Sequence, residues 1–133
     1  MKTVLFVCVH NAGRSQIAEA FFNQLAKGKA KALSAGISPT DVIDSVVIEV
    51  MREVGIDTSA NKPKALIFEL VKSIDKVVTM GCGVEEICST AFIETENWEL
   101  EVPRGKPLER AREIRDKIKT KVIKILEEIT RET

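Results

Sequence analysis

The chain has 133 residues, 44% of them apolar and 30% charged, with 20 Lys and Arg against 20 Asp and Glu. That make-up fits one soluble domain spanning residues 1–133, whose core hides roughly two-thirds of the unfolded chain's surface. A formal net charge of zero excludes a global field that would gather nucleic acid or an anionic membrane, although a local anion site needs only local donors.

The first element is an apolar, β-branched run over residues 3–9. It does not alternate, so it predicts a strand buried on both faces. Its six residues from Val4 to Val9 fall short of the ~7–15 of a signal-peptide core. No stretch approaches the ~20 apolar residues of a membrane span. A cytoplasmic monomer is expected. Residues 15–27 predict a helix, with Ile17, Ala18, Phe21, Phe22 and Leu25 at helical spacing and closure near Gly28. Ala30 to Ala35 predicts a short strand ended by Gly36. Ser38-Pro39-Thr40 predicts the start of a second helix, with Ile43, Val46, Val47, Val50, Met51 and Val54 as its stripe and Gly55 as its stop. Residues 64–72 predict a shorter helix, and residues 75–80 a third strand. Residues 81–91 read as a loop or short helix, and residues 92–96 as a weak fourth strand. Pro107 opens a long helix with Leu108, Ala111, Ile114, Ile118, Val122, Ile125 and Ile129 facing inward. Strands alternating with helices predict a parallel sheet wound by right-handed crossovers, with ligands outside the carboxyl ends of the strands.

At that edge, after the first strand, stands Cys8-Val9-His10-Asn11-Ala12-Gly13-Arg14-Ser15. It leads straight into a helix N-terminus, where free N–H groups and the helix dipole bind anions. Gly13 can take the positive φ that a tight cradle requires. Arg14 can grip two oxygens of a tetrahedral oxyanion in a fork. The same surroundings favour a nucleophilic Cys8, and Ser15 can donate a hydrogen bond to its sulfur. Cysteines number three, at 8, 82 and 88. An odd count without a secretion signal argues for thiols with a task and against a disulfide framework.

The loop resembles the active-site loop of the low-molecular-weight protein tyrosine phosphatase fold. Asn11 and the run Arg14-Ser15-Gln16-Ile17-Ala18-Glu19 resemble its arsenate reductase branch. Further matches are Ser34-Ala35-Gly36, Val54-Gly55-Ile56-Asp57, Val77-Val78-Thr79-Met80-Gly81-Cys82, Glu96-Asn97-Trp98 and Gly105-Lys106-Pro107. The resemblance covers nearly the whole length. It implies a three-layer α/β/α domain with a four-stranded parallel sheet in the order 2-1-3-4. It also implies reduction of arsenate to arsenite by three cysteines, with thioredoxin or a similar thiol carrier as donor and no bound cofactor. Cys8 would be the nucleophile, Arg14 and the amides of residues 8–14 the oxyanion cradle, and Ser15 the stabiliser of the thiolate. Cys82 would displace arsenite and Cys88 would resolve the disulfide.

In that strand order the first and third strands are neighbours, about 4.8 Å apart, which brings Cys82 toward Cys8. Cys88 follows six residues later. If the segment between them were helical, their Cα atoms would stand roughly 10 Å apart. A disulfide needs less than about 7 Å, so this pairing implies unwinding, a redox-driven switch that Gly81 and Gly83 would ease. The bland alternative makes Cys82 and Cys88 small core residues. A zinc site with His10 as fourth ligand is the third reading, though the spacing is not that of paired Cys-x2-Cys knuckles.

Two departures from the family pattern stand out. The Asp-Pro pair that supplies a general acid in relatives is Val102-Pro103 here, and its loss should slow phosphoester hydrolysis. Glu101 is adjacent and is the nearest substitute, otherwise a solvated charge. Asn11, Glu19 and Ser34 match a cation site of some relatives, but its acidic position falls on Lys64, whose ammonium would replace potassium. His10 reads as a loop residue lending backbone, and Trp98 as packing. Tyrosine is absent, which favours a small inorganic substrate over a bracketed aromatic one. The rival reading is an aryl or protein tyrosine phosphatase on the same loop, working through a Cys8 phosphoenzyme. A sensor that binds oxyanion or metal without turnover is the third.

Overall fold

The computed structural model describes residues 1–80 and 94–131. Its strands are β1 (Lys2–Cys8), β2 (Ala30–Gly36), β3 (Lys76–Thr79) and β4 (Glu94–Asn97). Its helices are α1 (Arg14–Ala26), α2 (Ser45–Glu53), α3 (Phe68–Lys72) and α4 (Leu108–Arg131). The sheet is parallel throughout, in the order β2-β1-β3-β4, as the resemblance implied.

β1 is central, and its residues from Val4 to Cys8 are all buried. Alternate side chains enter opposite layers, as the pleat requires. Val4, Phe6 and Cys8 join the larger core with Ile17, Phe21 and Phe22 of α1, Val47 and Met51 of α2, and Ile118 and Ile125 of α4. Leu5 and Val7 face the smaller core, with Val71 of α3 and Ile74 beyond it. Burial on both faces explains why the first strand shows no alternation in sequence. α4 buries Ala111, Ile114, Ile118, Val122, Ile125 and Ile129, the stripe its periodicity predicts. No helix among the described residues is long and apolar enough to cross a membrane.

Two helices begin later than their sequence signals. Ser38-Pro39-Thr40 does not open α2, which starts at Ser45. The intervening backbone is engaged elsewhere. The N–H groups of Ile37, Ser38, Thr40 and Asp44 donate to the carbonyls of Cys8, Val9, His10 and Ala12 at 3.3, 2.8, 3.2 and 2.9 Å. A helix would have to withdraw these donors from the loop. Likewise, residues 64–66 are not helical. Ala65 makes a parallel bridge with Gly36, and the edge of β2 bonds Lys64 and Leu66, so only residues 68–72 coil. Gly55, at a φ of 83°, ends α2 as expected. The expected fourth strand is present and runs one residue further, to Asn97, while residues 92 and 93 of the expected range lie outside the described residues.

Candidate active site

The strap of residues 37–44 decides the orientation of the loop that follows β1. In a trans peptide the C=O and the next N–H point in opposite directions. Four loop carbonyls are turned to the strap, so the N–H groups of Val9, His10, Asn11 and Gly13 are turned away from it. Among the described residues, none of the N–H groups of residues 9–13 donates to a protein atom. Asn11, Ala12 and Gly13 are nonetheless buried. Buried amides without partners are costly, and a row of them specifies an acceptor.

The left-handed residue of the loop is Asn11, at a φ of 52° that its short polar side chain tolerates, and not Gly13, whose φ is −138°. Its Oδ1 accepts from the Lys64 N–H at 2.8 Å and from Gln16 Nε2 at 3.1 Å. Those two donors fix the amide, so Nδ2 must face Ser15, and it donates to Ser15 Oγ at 2.7 Å. The Ser15 hydroxyl, already accepting from Asn11, is left to donate its own proton. Cys8 Sγ lies 2.8 Å from Ser15 Oγ and is its acceptor. Cys8 is buried and free of any disulfide. The chain Lys64–Asn11–Ser15–Cys8 thus delivers a proton donor to the sulfur.

Arg14, at the first position of α1, is 7% exposed. Its Nη1 donates to the Leu100 carbonyl at 3.0 Å, and among the described residues it meets no carboxylate. A buried guanidinium without a counter-charge calls for an anion. Cys8, Arg14 and the loop line one cavity of about 140 Å³, closed on its far side by Asp44, Val102, Pro103 and Arg104. Gly36 lets the loop approach β2. A methyl carbon there would stand 2.8 Å from the Val9 carbonyl oxygen and 2.9 Å from the Asn11 nitrogen.

The remaining predicted residues divide. His10 lines the cavity and is exposed, and no hydrogen bond of its ring is formed among the described residues. Glu19 accepts from Ser34 Oγ at 2.8 Å, and Lys64 Nζ stands 3.8 Å from the same carboxylate oxygen. Asn11, Glu19, Ser34 and Lys64 are therefore joined, with an ammonium in the group. Glu101 is not brought to Cys8. Both its oxygens are held by Arg110, and it borders a different cavity with Glu113 and Lys117. That hydrogen-bonded guanidinium holds its carboxyl below the usual carboxylate range. The reason is the register of the late loop, in which neighbouring side chains turn to different sides. Trp98 is buried against Phe6, which makes it packing. Cys82 and Cys88 lie outside the described residues. Sequence reasoning missed Asp44, Arg104 and the Leu100 carbonyl. Only the strap and the late loop bring them in, and nothing local announces that.

A thiol at a strand-to-helix turn, beside amides and a buried arginine that find no acceptor or carboxylate among the described residues, is an arrangement able to hold an anion next to a cysteine sulfur. The chain belongs to the low molecular weight phosphotyrosine protein phosphatase family, whose model matches residues 3–133. It is 36% identical over 135 residues to the glutaredoxin arsenate reductase of Synechocystis, across 98% of this chain and 100% of that one. The solved structure of an arsenate reductase in the phosphate binding state is similar at a TM-score of 0.85 and 36% identity, covering 97% of this chain and 99% of that one. The thioredoxin-dependent arsenate reductase of Corynebacterium glutamicum gives a TM-score of 0.85 at 34% identity, over 100% of this chain and 64% of that one.

Proposed function

We propose that the protein reduces arsenate to arsenite by a three-cysteine relay. The Cys8 thiolate attacks arsenic while Arg14 and the loop amides hold the oxyanion. A sulfur–arsenic bond forms and one oxygen departs as water. Cys82 then attacks the Cys8 sulfur. The electron pair of the sulfur–arsenic bond passes to arsenic, arsenite leaves, and a Cys8–Cys82 disulfide remains. Cys88 attacks Cys82, freeing Cys8 and leaving Cys82–Cys88 to a thioredoxin-type dithiol. The observation that carries this reading is the Cys8–Ser15 contact beside an Arg14 that meets no carboxylate among the described residues. The end of β3 supports the second step. The Met80 N–H bonds the Val7 carbonyl at 2.9 Å, and two residues of chain span at most about 7 Å. The relatives' names support an external thiol donor, glutaredoxin in one and thioredoxin in another. The protein acts as a monomer in the cytoplasm, where thiols stay reduced.

The test is arsenite release with thioredoxin, thioredoxin reductase and NADPH, for the intact protein and each Cys→Ser variant. All three variants should stop multiple turnover. The phosphatase reading uses the same cavity and needs neither later cysteine. Aryl phosphate hydrolysis that survives Cys82→Ser, with no arsenite from the intact protein, would establish it instead.

A further inference from the structure

An oxygen that leaves arsenic or phosphorus departs far more readily as water than as hydroxide, so the cavity needs a proton donor. Arg14 cannot give up a proton. Val102 offers only carbon to the cavity, and Glu101 is turned to a different cavity with both its oxygens on Arg110. Among the described residues lining the cavity, one carboxyl group remains. It belongs to Asp44, at the end of the strap, whose side chain is 12% exposed.

Its two oxygens have different fates. Oδ1 accepts from Arg104 Nε at 3.0 Å and lies 3.0 Å from Arg104 Nη2. Oδ2 has no hydrogen-bond partner among the described residues. A methyl carbon placed on Gly13 of the loop would stand 3.4 Å from Oδ2. The free oxygen is therefore the one beside the cradle. It is not spent on the fold either, because Asp44 precedes α2 yet its side chain caps no N–H of that helix. The carboxyl is placed by its own N–H, which bonds the Ala12 carbonyl at 2.9 Å, and by Arg104 from the late loop.

We propose that Asp44 is the acid that protonates the departing oxygen when Cys8 attacks, with Arg104 as its positioning residue. This rests on the arsenate reductase reading of the cavity. As the sulfur–arsenic bond forms and the arsenic–oxygen bond breaks, the Oδ2 proton passes to the oxygen, which leaves as water. Asp44 is left a carboxylate, with Arg104 at hand to compensate it. No oxidation state changes in this step. The proton is regained from solvent before the next cycle.

The test measures arsenite formation against pH for the intact protein, Asp44→Asn, Asp44→Ser, Arg104→Gln and Asp44→Asn/Val102→Asp. Arsenite from the intact protein that Cys8→Ser abolishes establishes the underlying reading, and its absence refutes that reading whatever Asp44 does. Given turnover, Asp44→Asn should lower kcat/KM by about 10²–10⁴, the usual weight of a general acid. It should also flatten the alkaline limb of the pH profile, along which the intact protein loses activity as the acid deprotonates. Val102→Asp, which places a carboxyl elsewhere in the same cavity, should restore part of the rate and the limb. Arg104→Gln should give a smaller loss with the limb displaced. Asp44→Ser substitutes if the Asn variant does not fold. A loss of less than about threefold, far below a general acid's contribution, overturns the proposal. So does a larger loss that leaves the alkaline limb in place and resists rescue.

Discussion

Gly36→Ala should damage the cradle without replacing any residue in it. The added methyl carbon would stand 2.8 Å from the Val9 carbonyl oxygen, 2.9 Å from the Asn11 nitrogen and 3.0 Å from Asn11 Cβ. The two nearest are backbone atoms of the loop, which cannot swing aside as a flexible side chain does. β2 cannot retreat either. The Gly36 N–H bonds the Lys64 carbonyl at 2.8 Å, and its carbonyl takes the Leu66 N–H at 2.9 Å, so the strand is pinned from its other edge. The loop must give by several tenths of an ångström. Overpacking of this kind costs about 1–3 kcal/mol. For a domain of this size that corresponds to a fall in Tm of about 4–12 °C. The displaced residue is Asn11, whose Nδ2 orients Ser15, so phosphate or arsenate affinity should fall together with Tm. Differential scanning calorimetry and isothermal titration calorimetry with inorganic phosphate measure both. An alanine variant that melts and binds like the intact protein would refute the claim that loop and strand are in obligatory contact.

Further outcomes follow from the same geometry. Ser15→Ala removes the proton donated to the Cys8 sulfur. A hydrogen bond to a charged group is worth about 1.5–3 kcal/mol, so alkylation of Cys8 by iodoacetamide at neutral pH should slow by about 10- to 100-fold. An unchanged rate would exclude the donor role. The Lys64 ammonium, 3.8 Å from Glu19, predicts arsenite formation at the same rate in potassium and sodium salts. Marked stimulation by potassium would contradict it. Burial pushes the Glu96 carboxyl upward, but hydrogen bonds from Trp98 and Lys76 outweigh it and hold the group below 4.5. A depressed carboxylate contributes stability at higher pH and loses it as pH falls through its folded value. Acid titration below pH 4.5 should therefore destabilise the protein, and Glu96→Gln should remove part of that slope in calorimetry. Parallel acid slopes in the two proteins would refute the assignment.

The first third of the chain carries most of its own structural information. β1, its cysteine, the loop and α1 are contiguous, and their roles rest on local chemistry: an apolar run, a turn and a helix entrance. The periodicity of α4 is equally local. Where sequence signals misled, a long-range hydrogen bond had overridden them. Ser38-Pro39-Thr40 has the composition of a helix start, yet three of the four strap donors of that region lie at or near it and bond the loop. Lys64 to Lys72 has helical spacing, yet the free edge of β2 claims its first residues. The same applies to the cavity wall. Glu101 is the nearest acid in sequence to Val102, but among the described residues the acid that lines the cavity is Asp44, 58 positions before Val102. Arg14 could be picked out of the loop as a candidate anion ligand, whereas the Leu100 carbonyl that steadies it belongs to a segment with no motif of its own.

The strap has a consequence for selectivity. A receptor made of peptide N–H groups reads tetrahedral shape and negative charge, and it is indifferent to whether phosphorus or arsenic sits at the centre. Exchanging the side chains of Val9, His10 or Ala12 cannot remove those contacts, because the main chain makes them. Under the proposed function, phosphate should therefore compete with arsenate for entry on nearly equal terms. Discrimination between the two oxyanions is then kinetic, exercised after docking by how each adduct decomposes.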